Sequence, residues 1–597
     1  MGEDFIFGVT SYSDYVVKRR QDELHSVWHY HRIEPRDPQP DQPVKILVDI
    51  GCNHRADAVF CYWTTADEQP AGRAGKATCG NVLALEKEVP IWEDLVWGYV
   101  DRWVGILPPQ ADGTQVRYRI EAWDEHQGIS AFADHSGADP MQGPPFAFHV
   151  DNWQAPDWIR DAIIYQIIVD RFYPGDGQKW KDTNDMGGIF GGTLCGIIDK
   201  LPYISSLGFN TLWISPISEG PSSHHYDTTD HRTVAAHFGT NVMFRELVQK
   251  AHAMGMRVLL DFVAHATSDQ HPFLKSAREN RDSPYYPFYI FNQWPDDYDC
   301  FFGVKSLPYL NLEYAPARQY IIDSALYWMD YAVDGFRLDY AIKPSRDFWV
   351  SLQSALRMVR PDVCTLGEAV TSPEGLRTFE GKLDGCLDFS LADAIRSTFV
   401  YQKNDLSFFS QFLDLHERYP TPNFIRPSFI DNHDMNRVLF IADGDIRKVK
   451  MAATCQFTLS QPPIVLYGTE VGLSQKVDCR NGLDVVREPM PWDDYQNGDL
   501  MKFYRKLCQA RSSCPAIRRG SRKTLYVDKS TFVYSKSQGT ETCIVVLNVG
   551  DKKQILLKTE NLSKQYVDML GEGSYSRTGD ALNLKLEPWQ ASILLPE

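Results

Sequence analysis

The sequence has no C-x-x-C pair, no lysine and arginine run long enough for a basic stripe, and no uninterrupted apolar stretch long enough to cross a bilayer. Each lack excludes a class of function. The 12 cysteines, from Cys52, Cys61, Cys79, Cys195 and Cys300 on to Cys543, lie scattered. Zinc sites and a thiol redox motif therefore have no framework, and reduced, mostly buried thiols are expected. A formal net charge of -17 without any local basic stripe argues against nucleic acid as a partner. The start, MGEDFIFGVTSYSDYVVKRR, places acids before any apolar stretch and lacks the basic opening and small-residue cleavage site of an export signal. Ile6 stands where a myristoylation motif needs Ser or Thr. No membrane association and a cytoplasmic location are expected.

Length and aromatic residues are what the chain has in plenty. At 597 residues it exceeds one ordinary core, so two to four domains are expected, one of them large enough for a barrel of roughly 250 residues. An aromatic share of 13% fits either large cores or exposed platforms that stack on the C–H faces of sugars, and composition does not separate the two.

Along the chain the pattern changes twice. After the linker PRDPQPDQP at 35–43, the alternating strands VKILVDI, AVFCYWTT, NVLALEKEV, WGYVDRWVGIL and QVRYRIEAWD predict an N-terminal β-sandwich over residues 1–152. The turn-rich ADHSGADPMQGPP follows, and from Ala162 short apolar strands alternate with amphipathic helices. Eight such strands open at Ala162, Asn210, Arg257, Asp334, Val363, Gly385, Ile425 and Pro462. Eight buried strands with crossover helices predict a closed (β/α)8 barrel over 153–515 rather than an open doubly wound sheet. The overlong connection after the third strand predicts a small inserted subdomain at about 267–316. Alternation returns in TFVYSKS, TCIVVLNV, QILLKT, ALNLKLEP and ASILLPE, which predict an antiparallel C-terminal β-sandwich over 516–597.

In a parallel barrel the loops after the strand C-termini build the active site. Asp261 ends the third strand, Arg337 and Asp339 the fourth, Glu368 the fifth, and His433 with Asp434 follows the seventh. Any one of these alone reads equally as a helix cap or a loop-anchoring ion pair. Together they match a retaining glycosidase, which needs one carboxylate as nucleophile and a second, about 5 to 5.5 Å away, as acid and then base. Arg337 lies two residues before Asp339, on the same side of the strand, so it can keep that carboxylate ionised and oriented.

With these residues the sequence resembles the α-amylase family of glycoside hydrolases, in particular its neopullulanase, cyclomaltodextrinase and maltogenic amylase branch. The resemblance runs from about Trp158 to the C-terminus and rests on YQIIVDRFYPGD from Tyr165, GFNTLWISPI from Gly208, DFVAHATS from Asp261 and LPYLNLE from Leu307. It continues in DGFRLDYA from Asp334, LGEAV from Leu366, FIDNHD from Phe429, YGTEVGL from Tyr467 and the connection REPMPW from Arg487. It implies Asp339 as nucleophile, Glu368 as acid/base and Asp434 as the group holding the 2- and 3-hydroxyls of the distorted sugar. Arg337 and His433 would support charge and hydroxyl binding, and Tyr226 would stack under the sugar. Asp227 and Asp230 would stabilise its loop, and Asp261 would hold Arg337 in place. For Tyr226 by itself, core packing is the competing reading.

One motif departs from the family pattern. Where the family reads D-x-V-x-N-H, this chain reads Asp261, Phe262, Val263, Ala264, His265, Ala266. The resemblance assigns the missing His to the 6-hydroxyl of the sugar and the missing Asn to structure or calcium. Because neighbouring strand residues face opposite ways, His265 can fill the gap only through a bulge or turn. No cofactor is required; calcium is considered only at Asp176, Asn184 and Asp185, where an ordinary polar loop is the alternative. The family's Gly-Gly-Asp element reads Gly191, Gly192, Thr193, which removes one ligand.

The expected partner is an α-glucan or oligosaccharide, cut at α-1,4 bonds, with α-1,6 bonds left open, in starch-type glucans, maltooligosaccharides, cyclodextrins or pullulan. A 4-α-glucanotransferase would use the same intermediate with a sugar as acceptor, and a noncatalytic glucan-binding scaffold is the alternative from another class. The N-terminal domain is similar to modules that shape a homodimer in this branch. Its Trp28, Tyr62, Trp63, Trp97 and Trp103 are read as strand-core aromatics, with glucan binding as the alternative.

Overall fold

The computed structural model describes residues 14–94, 98–134, 144–183, 185–492, 497–558, 562–571 and 573–597. The first 13 residues, part of the stretch on which the lack of an export signal is read, lie outside this description, as do most of the turn-rich segment at 133–145, Trp97 and Asn184.

Two antiparallel sheets form the N-terminal unit. One is centred on Val44–Gly51 paired with Gly98–Leu107, the other on Thr114–Asp124 paired with Ala58–Thr64 and Phe146–Val150. Their alternating inner residues, among them Ile46, Val48, Cys61, Val116, Tyr118 and Ile120, share one core. Trp28, Tyr62 and Trp103 are buried, as strand-core aromatics should be, and Trp63 packs against this core. The sandwich docks on the barrel through Asp347, buried in the helix Arg346–Val359. Its carboxylate accepts from Arg117 of the N-terminal sheet at 2.7 Å and from Arg318 at 2.5 Å.

Seven parallel strands form one sheet in the order Gly385–Cys386, Cys364–Gly367, Gly335–Leu338, Arg257–Phe262, Thr211–Ile214, Ile164–Ile167 and Ile464–Leu466. The predicted seventh strand, at 425–428, is reduced to two parallel bridges, Gly385 with Ile425 and Ser428 with Pro463, and these close the barrel. Pro427, which has no amide hydrogen, interrupts regular pairing there, although its carbonyl still accepts from the Asp388 amide. Gly385 permits the closure, because a Cβ at that position would lie 1.9 Å from the Ile425 carbonyl oxygen.

A period of two sorts each strand between layers. Tyr165, Leu212, Ile214, Val258, Leu260, Phe336 and Leu338 face the helices, while Ile164, Trp213, Leu259, Cys364 and Leu366 fill the barrel interior. The same interior face, followed two residues further along the strand, reaches Gln166, Asp261 and Glu368. Sequence parity thus carries the chemistry to the C-terminal mouth.

Between the third strand and the helix Ala315–Met329 lies the inserted segment, with the helix Pro272–Glu279 and a small hairpin of Phe291–Gln293 with Asp297–Tyr298. After the helix Gly498–Ser513 and the short turn Pro515–Arg519, eight antiparallel strands from Ser521 onward form the C-terminal sandwich. All 12 cysteines are free thiols, eight of them buried. No helix among the described residues is long and apolar enough to cross a membrane.

Candidate active site

Asp261 and Arg337 are register partners on adjacent parallel strands, so their side chains meet in the barrel interior. Arg337 Nη1 donates to Asp261 Oδ1 at 2.8 Å and to Asp339 Oδ1 at 2.7 Å, and Nη2 stands 2.5 Å from Glu368 Oε1 in an ionic contact off the N–H axis. A single planar guanidinium therefore reaches three carboxyl groups delivered by three consecutive strands. The Glu368 carboxyl also accepts from the Tyr340 amide at 3.2 Å.

A second polar network begins at Asp261. Its Oδ2 accepts from Trp213 Nε1 at 3.0 Å and from the Tyr226 hydroxyl at 2.9 Å, and that hydroxyl oxygen lies 2.6 Å from His433 Nε2. Gln166 of the first strand holds His433 Nδ1 at 2.7 Å. The Tyr226 and His433 rings are parallel to within 9°. Asp434 lies 3.0 Å from His433 Nε2 and accepts from Arg487 Nη2 at 2.7 Å, while Arg487 Nε donates to the His433 carbonyl at 3.0 Å.

Asp339, Glu368, Asp434, Tyr226 and Arg487 line one open cleft of about 930 Å³, together with His265, Tyr340 and the apolar loop residues Phe301 and Leu307 of the inserted segment. Asp261, Arg337 and His433 lie beneath, buried and holding the lining groups. Asp227 is buried in the loop beside Tyr226 and accepts from Ser222, and Asp230 accepts from the Arg232 amide and the Thr233 hydroxyl, so both brace loop backbone rather than face the cleft.

Two guanidinium ions, Arg337 and Arg487, face five carboxyl groups, with Asp261 and Glu368 buried, Asp339 and Asp434 partly buried at the cleft and Asp484 at its rim, a balance that favours keeping at least one proton. Burial and neighbouring carboxylates push Asp339 well above the usual range against the pull of Arg337. Glu368 is pushed up to about 7, again by burial, with Asp434 and Asp261 adding repulsion and Arg337 opposing. Asp434 goes the other way: burial acts upward but is outweighed by His433, Arg487 and Arg337, which hold it below the usual aspartate value. His433 and His265, each pushed down to about 3 chiefly by burial, stay neutral. The retained proton therefore belongs to Asp339 and Glu368 as a pair.

The turn that His265 needs is present. The strand ends at Phe262, the chain bends at His265, and Ala266 forms an antiparallel bridge with Tyr309. His265 thereby enters the cleft wall, with Nδ1 3.6 Å from Asp339 Oδ2 and no hydrogen-bond partner. Thr193, in place of the family's Asp, caps the helix Leu194–Leu207: its Oγ1 accepts from the Gly196 amide at 3.0 Å and donates to the Pro174 carbonyl at 2.7 Å. Among the calcium candidates, Asp185 Oδ1 accepts from the Gly187 amide. Among the described residues no group of three or more His, Cys, Asp or Glu side chains is arranged to hold a metal ion.

Arg487, Trp213, Gln166 and Tyr340 are site residues that the strand-end rule does not select. Arg487 opens the REPMPW stretch, which marks it as belonging to a motif without giving it a partner. Gln166 was open to detection as a polar residue of inward parity in an apolar strand.

The family described as "Alpha amylase, catalytic domain" matches residues 166–504. The chain is 30% identical over 603 residues to "Alpha-amylase 2" of Dictyoglomus thermophilum, covering 99% of each protein. It is 31% identical over 471 residues to a cyclomaltodextrinase of Geobacillus thermopakistaniensis, covering 74% of this chain and 78% of the relative. A solved cyclomaltodextrinase structure superposes with a TM-score of 0.69 at 25% identity, covering 95% of this chain and 99% of that one.

Proposed function

The chain belongs to the alpha-amylase family and is a glycoside hydrolase of α-glucans, and from that premise we propose that it cleaves α-1,4-glucosidic bonds of maltooligosaccharides and cyclodextrins through a covalent glycosyl-enzyme. The single observation that supports this is the Arg337 guanidinium in contact with both Asp339 and Glu368 at one cleft.

In this reading Asp339 attacks the anomeric carbon. Its Oδ1 accepts the aligned Arg337 hydrogen bond, which favours the anion there and leaves the shared proton to Glu368. Glu368 gives that proton to the departing glycosidic oxygen, then takes one from the water that releases the sugar. Asp434, kept ionised by Arg487, binds hydroxyls of the sugar, and Tyr226 offers its ring. His265, neutral and with its Nδ1 lacking a hydrogen-bond partner beside Asp339, supplies the contact to the 6-hydroxyl that the family's displaced His would have made.

Reducing-sugar release from maltotriose by the wild type and its loss in Asp339→Asn tests the reading. The anomer first released, followed by NMR, should be α; β product would refute the covalent route. Products longer than maltotriose would instead indicate glucan transfer.

A further inference from the structure

We propose that the catalytic cleft continues past His265 into a second, apolar chamber that takes a hydrocarbon leaving group, so that the protein hydrolyses α-maltosides bearing alkyl tails; this rests on the hydrolytic reading above. His265 lines both spaces. The second is an open recess of about 590 Å³, its apolar lining Pro144, Ile290, Leu310, Leu312 and Pro344 contributed by the N-terminal domain, the inserted segment and the loop after the fourth strand.

Most of the polar groups at its rim are already engaged. Asn311 Nδ2 donates to the Pro287 carbonyl at 3.0 Å and its Oδ1 accepts from the Glu313 amide at 3.3 Å, while Glu313 pairs with Arg318 at 3.3 Å. Ser345 Oγ caps the helix Arg346–Val359, and Lys343 lies 4.3 Å over the Tyr309 ring. Apart from the Lys343 ammonium and His265 Nδ1, what remains for an occupant is carbon. A glucose unit placed there would find few partners for its hydroxyls, whereas a hydrocarbon would gain burial.

The two ends of the cleft differ in the same sense. Tyr226, His433, Asp434 and Arg487 form one connected polar network suited to the sugar being cleaved. His265, beside the 6-hydroxyl of that sugar, also joins an aromatic cluster, its ring 5.5 Å from Tyr340 and 5.7 Å from Phe301 and Tyr309. In this proposal the leaving group passes along that cluster into the chamber. In the step itself the anomeric C–O bond breaks, Glu368 protonates the alkoxy oxygen, the alkanol departs, and water then completes maltose.

The test is kcat/KM of the full chain on methyl to hexyl α-maltosides, with maltotriose measured alongside. The value should rise roughly two- to fourfold per methylene as KM falls, then level off when the chamber is full. Ile290→Asp, at a position 46% exposed and so tolerant of charge, should flatten that rise. A flat series in protein that cleaves maltotriose overturns the chamber, as does an unchanged slope in the variant. Failure to cleave maltotriose would overturn the hydrolytic reading instead.

Discussion

Arg487 and Asp434 are joined by a 2.7 Å hydrogen bond between side chains that leave different loops of the barrel mouth. The same guanidinium donates to the carbonyl of His433, so it fixes both the backbone and the carboxylate of that loop. Lysine would keep the charge and lose the fork. Arg487→Lys should lower kcat/KM on maltotriose about 10- to 100-fold, with the larger change in kcat, the loss expected for hydrogen bonds to charged groups of about 1.5 to 3 kcal/mol. A change below threefold would remove Arg487 from the mechanism.

The pH dependence follows from Glu368. As the acid it must carry a proton, and with its pKa pushed up to about 7, kcat/KM should fall about tenfold per unit as pH rises beyond that value. A profile flat from pH 6 to 9 would contradict the assignment.

The same shift bears on stability, with a definite sign. Glu368 holds its proton more tightly when folded than when unfolded, where it titrates near the ordinary glutamate value of 4.5. Folding therefore bears no penalty from this group below about pH 4.5, a growing one up to about pH 7, and a constant one above. Glu368→Gln should raise Tm at pH 8 and leave it nearly unchanged at pH 4.5; an equal effect at both would show that the gain is not titration.

Restoring the family pattern should not restore a function. Ala266 is 1% exposed and bridged to Tyr309, so Ala266→His forces an imidazole into a filled space and should cost roughly 1 to 3 kcal/mol of stability by urea unfolding. His265→Ala, by contrast, should weaken turnover of short maltooligosaccharides while leaving the fold intact. Unchanged kinetics in His265→Ala would end its proposed role.

Much of the site could be read in the chain because the barrel geometry is regular. Parity along DGFRLD puts Arg337 and Asp339 on one face, and the strand-end rule finds Asp261, Glu368 and Asp434 without coordinates. The seventh strand is less regular than its apolar pattern suggests, because pairing there depends on Pro427 and on neighbours distant in sequence. Arg487 could not be placed for a similar reason: its partners come from a loop some fifty residues earlier. His265 shows the limit best, since the strand ends at Phe262 and its alternation no longer governs position 265; only the bend there sets His265 in the cleft wall beside Asp339.

The sequence by itself determined which residues alternate inward, and therefore the layer each side chain joins and the acids at the strand ends. These depend on short-range periodicity, which a chain carries locally. Only the tertiary structure decided that one guanidinium serves three carboxyl groups, that two of them share the tendency to keep a proton, and that a hydrocarbon chamber opens behind His265. Those depend on distances between segments far apart in the chain, and on burial, which sets the cost of every charge.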